Sequence, residues 1–342
     1  MKECAIVILN WNGEKLLNKF LKSVIDNSLD TDIIVIDNAS TDNSVIFLKE
    51  NYPNIKVIEN TNNGGFAKGY NDGLAPIKGN YKYYALLNSD IEVTPNWLEP
   101  IIELLNSDDK IAACQPKIKD YNNKDYFEYA GASGGYLDRY GYPFCRGRVF
   151  NHLEKDEGQY DDIKKVFWAS GACLFIRAEI FHELGGFDED FFAHMEEIDL
   201  CWRINNRGYD VYVCPNSTVY HVGGGTLNKA NPFKTYLNFR NSLYIVIKNA
   251  NSYDLAVIVS SRAILDFVAA FKFLFFDKPS NFIAIIKAHF SVYKNLKLFV
   301  RKRKQEKNKY NITCIDGVYS RSIVFNFYIK QNKKFNDLGI SK

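Results

Sequence analysis

The strongest constraint on the fold is a rhythm in the first 114 residues, where short apolar runs alternate with stretches of helical periodicity. Residues 4–9, 33–36, 56–58, 83–87 and 111–114 read as strands, the first two continuously apolar. Between the first two, Leu16, Leu17, Phe20, Leu21, Val24 and Ile25 recur with helical period and predict a helix over 14–27. Ser40 and Thr41 are N-cap candidates for a second helix, residues 66–75 predict a third, and Thr94 before Pro95 predicts the start of a fourth. Buried strands separated by helices require crossover connections. The predicted fold class is therefore α/β, a doubly wound, mostly parallel sheet flanked by helices.

In such a sheet, ligands lie beyond the carboxyl ends of the strands. Those ends carry Asn10 and Asn12, then Asp37 and Asn38, then the asparagines of 60–63, then Asn88, Ser89 and Asp90. Each group alone is also an ordinary turn, but four in succession exceed what turn chemistry usually places. Asp90 offers a carboxylate to a hard divalent cation. His221, beside the glycines at 223–225, is either a second donor or a satisfied core histidine. Asp37 and Asn38 suit contact with a base or ribose, or capping of the next helix. Asn62, Asn63, Gly64 and Gly65 suit a loop around a nucleotide, or a plain loop. The order GGFAKG does not fit GxGxxG, which disfavours a nicotinamide dinucleotide.

Residues 120–165 lose the rhythm and read as a long, partly irregular insertion able to cover a cleft. Order returns at WASGACLFIR, a loop entering a strand, and a short helix over 179–184 follows. Next comes FFAHMEEIDLCWR, residues 191–203, with Glu196, Glu197 and Asp199 inside four positions between aromatic flanks. A carboxylate on a cleft wall is a candidate general base. The competing reading is a solvated helix start with Leu200 and Trp202 as core anchors. A last strand over 209–214 leads to VYHVGGG.

A net charge of +3 is far from that of a nucleic-acid binder. Seven cysteines, Cys4, Cys114, Cys145, Cys173, Cys201, Cys214 and Cys314, show no CxxC spacing and read as free thiols in a reducing compartment. The first apolar run is too short for a signal peptide, so a cytoplasmic location is expected. The apolar stretch 255–276 is interrupted by Arg262, Asp266 and Lys272 and does not read as a membrane span. We place a domain boundary near residue 250, separating 1–250 from a helical, basic extension over 251–342. That extension reads two ways: docking on an anionic inner membrane leaflet, or homodimerisation with a solvated basic face. Gly131, Ser133 and Gly135 fit the hydrolase pattern GxSxG, but the flanking strand and helix that it needs are not predicted.

The ordered set VILNWNG, VIDNASTDNS, NTNNGGFAKGYN, LLNSD, WASGACLFIR, GGFDEDFFAHMEEIDLCWR and VYHVGGG resembles the family 2 glycosyltransferases of GT-A fold, particularly the bacterial rhamnosyltransferase-like branch. The resemblance covers residues 4 to about 250. It implies an inverting transferase moving a sugar from a nucleoside-diphosphate donor, dTDP-rhamnose or a UDP-hexose, to a saccharide or lipid-linked saccharide, in bacterial surface polysaccharide synthesis. It implies Mg2+ or Mn2+ as cofactor. By this resemblance Asp37 contacts the nucleobase, with Asn38 where many members carry a second Asp. Asn10, Asn12, Asn63, Gly64, Gly65, Asn71, Asn88 and Ser89 belong to the donor side. Asn88 and Asp90 match the ends of the DxD metal motif, leaving the metal chiefly to Asp90, with His221 completing the shell. Glu196 matches the Glu of the ED motif and Glu197 its catalytic Asp, one methylene longer. Ser170, Gly171, Trp202 and Arg203 fall on the acceptor side or beneath it. The alternative is a non-catalytic module binding sugar nucleotide or glycan on the same scaffold, kept open by Asn88 and Glu197.

Overall fold

The computed structural model describes residues 1–223, 231–251, 254–307 and 316–340. The glycines at 224 and 225, Cys314 and Lys309 lie outside them.

The amino-terminal half alternates as its pattern predicts. It runs β1 (Lys2–Asn10), α1 (Glu14–Asp26), β2 (Asp32–Asp37), α2 (Ser44–Asn51), β3 (Lys56–Glu59), α3 (Gly65–Leu74), β4 (Tyr81–Asn88), β5 (Ile91–Val93), α4 (Glu99–Ser107) and β6 (Ile111–Asp120). Short strands follow: β7 (Gly135–Asp138), β8 (Pro143–Cys145), β9 (Arg148–Val149), β10 (His152–Leu153) and β11 (Lys164–Val166). Then come β12 (Cys173–Arg177), α5 (Ala178–Glu183), α6 (Glu196–Asn206) and β13 (Asp210–His221). The carboxyl-terminal part holds α7 (Pro232–Asn249), α8 (Leu255–Phe276), α9 (Pro279–Lys307), β14 (Val318–Tyr319) and α10 (Ile323–Tyr328).

The central sheet has the order β11, β13, β6, β12, β4, β1, β2, β3, with β5 added to β13. Ala5, Ile6 and Val7 of β1 and Val35 and Ile36 of β2 are fully buried, as a strand covered on both faces requires. Parallel pairing of β1 with β2 sets Asn10 opposite Asp37, and pairing with β4 sets Leu9 opposite Asn88. The polar strand ends are thereby brought into one row.

Strand β12 is antiparallel to both β4 and β6, because the chain enters it from the insertion and not through a crossover helix. Three expectations need correction. Thr94 does not cap a helix: its hydroxyl donates to the Thr218 carbonyl at 2.7 Å, and α4 begins at Glu99. Helix α2 starts at Ser44, after Asn43, and Ser40 is used in the strand-end loop instead. The insertion is ordered, its strands β7–β10 forming a second sheet that β14 of the carboxyl-terminal part completes, in the order β10, β9, β8, β7, β14. In it Ser133 is buried and its hydroxyl donates to the Tyr160 carbonyl, which removes the hydrolase reading. The six described cysteines are free and buried.

Candidate active site

The strand-end residues knit to one another. Asn10 Nδ2 donates to Asp37 Oδ1 at 3.0 Å, and the other Asp37 oxygen accepts the Ser40 amide at 2.9 Å. Asn12, with a left-handed backbone at φ 50°, accepts the Thr41 amide on its Oδ1 at 2.7 Å. Asn38 links three loops: it donates to Asn63 Oδ1 and the Gly65 carbonyl and accepts from Asn60. Asn71 is tied to the loop before α6, bonding both the amide and the carbonyl of Phe187. These side chains therefore form a stiff rim at the carboxyl end of β1–β3.

A second group assembles at Asp90. This carboxylate follows β4, and its Oδ1 lies 3.1 Å from His221 Nε2 at the end of β13. The other ring nitrogen, Nδ1, lies 3.2 Å from Oε2 of Glu128, a residue of the insertion. All three side chains are buried. Burial alone would lower the His221 pKa, but the flanking carboxylates Glu128 and Asp90 outweigh it and push it up to about 10. Burial would raise Glu128, yet His221 and the Ala130 amide hold it below the usual glutamate value. Glu128 was not singled out from the sequence, because the insertion carries no periodic signal and only the fold brings it to His221.

The residues fit a divalent cation as a partial shell. With the cation replacing the Nε2 proton, Asp90 and His221 would be a carboxylate and an imidazole within reach of one centre, and a carboxylate behind a ligating imidazole fixes its tautomer. Among the described residues no group of three or more His, Cys, Asp or Glu is placed to hold a metal ion by itself. Diphosphate oxygens and water would supply the remaining ligands, as is usual for nucleotide-bound metals.

The carboxylate stretch forms the first turn of α6, which begins at Glu196. Just before it the backbone is strained: Phe192, His194 and Met195 have φ of 65°, 69° and 75°. Such non-glycine residues cost about 1–3 kcal/mol each and persist only where surroundings hold them. Helix α7 does so, with Asn241 Nδ2 facing the carbonyls of Phe191, Ala193 and His194 at 3.0, 2.9 and 2.7 Å. The amino end of α3 does so as well, the Phe66 amide donating to the Phe192 carbonyl at 2.7 Å. Gly65, at φ +80°, must be glycine for this contact, since a Cβ would stand 2.5 Å from that carbonyl.

Burial raises both glutamates, each with an Oε2 that is buried and lacks a hydrogen-bond partner. Glu196 is pushed well above the usual range by burial and then by the Glu197 charge. Glu197 is raised to about 7 by burial, which backbone N–H groups at the helix start partly offset. A residue with a pKa near neutrality is suited to accept a proton. Asp199 is different in kind. It is fully buried with Lys248 at 2.9 Å, Arg203 at 2.8 Å and Asn249 at 2.8 Å. Burial opposes its charge, but Lys248 and Arg203 hold its pKa well below the usual range.

Gly171 faces Glu197, with a Cβ there 3.5 Å from Glu197 Cβ. Its neighbour Ser170 is buried, donating to the Ala130 carbonyl, and the Ala172 carbonyl accepts the Asn88 amide. The WASGAC loop therefore joins the first turn of α6 to the Asn88–Asp90 turn. Trp202 and Arg203 point the other way. Trp202 packs edge-on to Phe167, and Arg203 donates to the carbonyls of Leu184 and Gly186, so both support the helix from below.

Comparison with known proteins agrees with this geometry. The signature of "Glycosyl transferase family 2" matches residues 5–185. The N-acetylglucosaminyl-diphospho-decaprenol L-rhamnosyltransferase of Mycobacterium tuberculosis is 23% identical over 261 residues, covering 72% of this chain and 84% of that protein. Rhamnosyltransferase WbbL of Escherichia coli is 23% identical over 223 residues, covering 63% and 82%. Among solved structures, GalNAc-T7 with UDP, GalNAc and Mn2+ shares the fold at TM-score 0.62 and 17% identity, covering 97% of this chain and 57% of that one. Staphylococcus aureus TarS 1-349 in complex with UDP matches at TM-score 0.52 and 13% identity, covering 92% and 95%. The signature spans more than half of the chain on a shared GT-A scaffold, and the protein belongs to family 2 of the glycosyltransferases.

Proposed function

We propose that this glycosyltransferase is inverting and metal-dependent, with dTDP-rhamnose or a UDP-hexose as donor and a saccharide or lipid-linked saccharide as acceptor, in surface polysaccharide synthesis. Residues 1–250 carry the reaction. The observation that carries the reading is Glu197, a carboxylate of pKa about 7 in the first turn of α6, against Gly171 and one loop away from Asn88 and Asp90.

Asp37 and the asparagine rim orient the nucleoside, and the acceptor enters beside Gly171. Glu197 takes the proton of the acceptor hydroxyl as its oxygen attacks the anomeric carbon. The bond from that carbon to the diphosphate oxygen breaks in the same step, its electron pair leaves with the nucleotide, and in-line displacement inverts the centre. Asp90 and His221 would hold a Mg2+ or Mn2+ ion, which as a Lewis acid offsets the charge gained by the leaving diphosphate. Glu128 keeps the imidazole of His221 turned towards Asp90.

A screen of nucleotide sugars read by nucleoside-diphosphate release tests this. Release is expected only with acceptor and divalent metal, and its loss in Glu197→Gln. A protein that binds donor without ever releasing nucleotide would instead be a binding module.

A further inference from the structure

Helices α8 and α9 are built inside out. The charges that interrupt the apolar run of α8, Arg262 and Asp266, lie on its buried face at 1% exposure each. There Asp266 accepts from Tyr142 at 2.9 Å and lies 3.2 Å from His289 Nε2. The outward face is left apolar: Val257, Ile264, Val268, Phe271 and Phe275 are exposed, the last by 70%. Their spacing of seven, four, three and four residues puts them on one stripe about 27 Å long.

The outward stripe of α9 begins apolar and ends basic. Ile283, Ile286, Phe290 and Tyr293 are exposed, Phe290 by 70% and Tyr293 by 79%. Lys287, Lys294, Lys297, Arg301 and Lys304 continue the same face, all exposed. Phe271 meets Phe282 at 5.9 Å and Phe267 meets His289 at 6.0 Å, so the two helices lie side by side. In each helix this contact flank falls on the same rotational side of the stripe. Because the helices run antiparallel, both stripes open in one direction. Lys272 over the Tyr328 ring at 4.9 Å extends the surface to Phe325 of α10 and to Ile329 just after it, both exposed.

We infer that this face docks on an anionic bilayer, with the aromatic side chains around the α8–α9 turn entering the interface and the basic stripe of α9 lying on the headgroups. Contiguous exposed apolar surface of this extent marks an interaction site. Apolar insertion joined to a Lys-rich edge is the pattern of a helix lying in the interface plane. No helix among the described residues is long and apolar enough to cross a membrane, which fits a surface mode. A second copy fits less well, since a two-fold contact through this face would set the α9 lysines against themselves. Neither stripe offers a carboxylate to meet them: Asp266 is buried and Glu306 pairs with Arg207.

The inference extends the reading of a lipid-linked acceptor, and it is tested without donor or acceptor so that the two fail separately. The full chain is floated with phosphatidylglycerol vesicles and with phosphatidylcholine vesicles. Binding to the anionic vesicles only is expected. Combined Lys287→Gln, Lys294→Gln and Lys297→Gln should weaken it about 100-fold, at about fivefold per lysine neutralised. Combined Val268→Ser, Phe275→Ser and Phe290→Ser, all on the outward faces, should abolish it with the thermal midpoint unchanged. Absence of wild-type binding, or equal binding by the serine variant, overturns the inference. So does a dimer in sedimentation that the serine variant dissociates while vesicles are ignored.

Discussion

Asn241 Nδ2 lies 2.7 Å from the His194 carbonyl, so a helix outside the catalytic sheet fixes the backbone that leads into Glu196 and Glu197. Three left-handed residues depend on that clamp. Replacement by leucine leaves buried carbonyls unsatisfied at about 1–3 kcal/mol and lets the loop relax. Asn241→Leu is expected to lower the thermal midpoint and to reduce kcat by at least 10-fold, with donor KM little changed. Scanning fluorimetry and steady-state kinetics on the same sample check it; a variant that loses stability but keeps full kcat would show the clamp to be structural only.

Glu197→Gln removes the proton acceptor but keeps the shape, so kcat should fall by about 10²–10⁴-fold. Glu197→Asp shortens the reach by one methylene and should retain part of the rate. The pH profile follows from the raised pKa. The carboxylate must be ionised to act, its ionised fraction falls as pH drops through about 7, and the wild-type rate should fall with it on the acid side. A flat profile between pH 6 and 8 would count against Glu197, using the ordinary spread about its value.

Burial of Asp199 against Lys248 and Arg203 has the opposite sign. Its folded pKa lies below the unfolded value, so its stabilisation is present above the ordinary aspartate range and is lost as pH falls through the folded value. Lys248→Met breaks the pair while Asp199 stays buried, a loss of about 3–5 kcal/mol. Urea midpoints at neutral and acid pH should show the variant much weaker at pH 7, with the gap narrowing on acidification.

Glu128→Gln should weaken Mn2+ binding about 10–100-fold, as loss of the carboxylate behind a ligating histidine usually does. Mn2+ paramagnetic resonance in the presence of nucleoside diphosphate reads this without turnover. Asp90→Asn should be more severe in the same measurement.

How much was legible in the sequence depended on whether the signal was local. Burial of alternating runs fixes which residues can be strands, and a parallel sheet then leaves its polar strand ends in one row; hence Asn10, Asp37, Asn38 and Asp90 could be named in advance. Glu197 could be named as a carboxylate in an aromatic setting. Tertiary structure decided what separates Glu196, Glu197 and Asp199: Lys248, 49 residues onward, takes up the charge of Asp199 and leaves the two glutamates in a dry site. It alone brought Glu128 to His221, turned Trp202 and Arg203 into supports, and put Arg262 and Asp266 inward so that α8 shows its apolar side. Periodicity records which face of an element is apolar. Which charges meet in low dielectric, and so which pKa values move, is fixed by contacts between residues far apart in the chain.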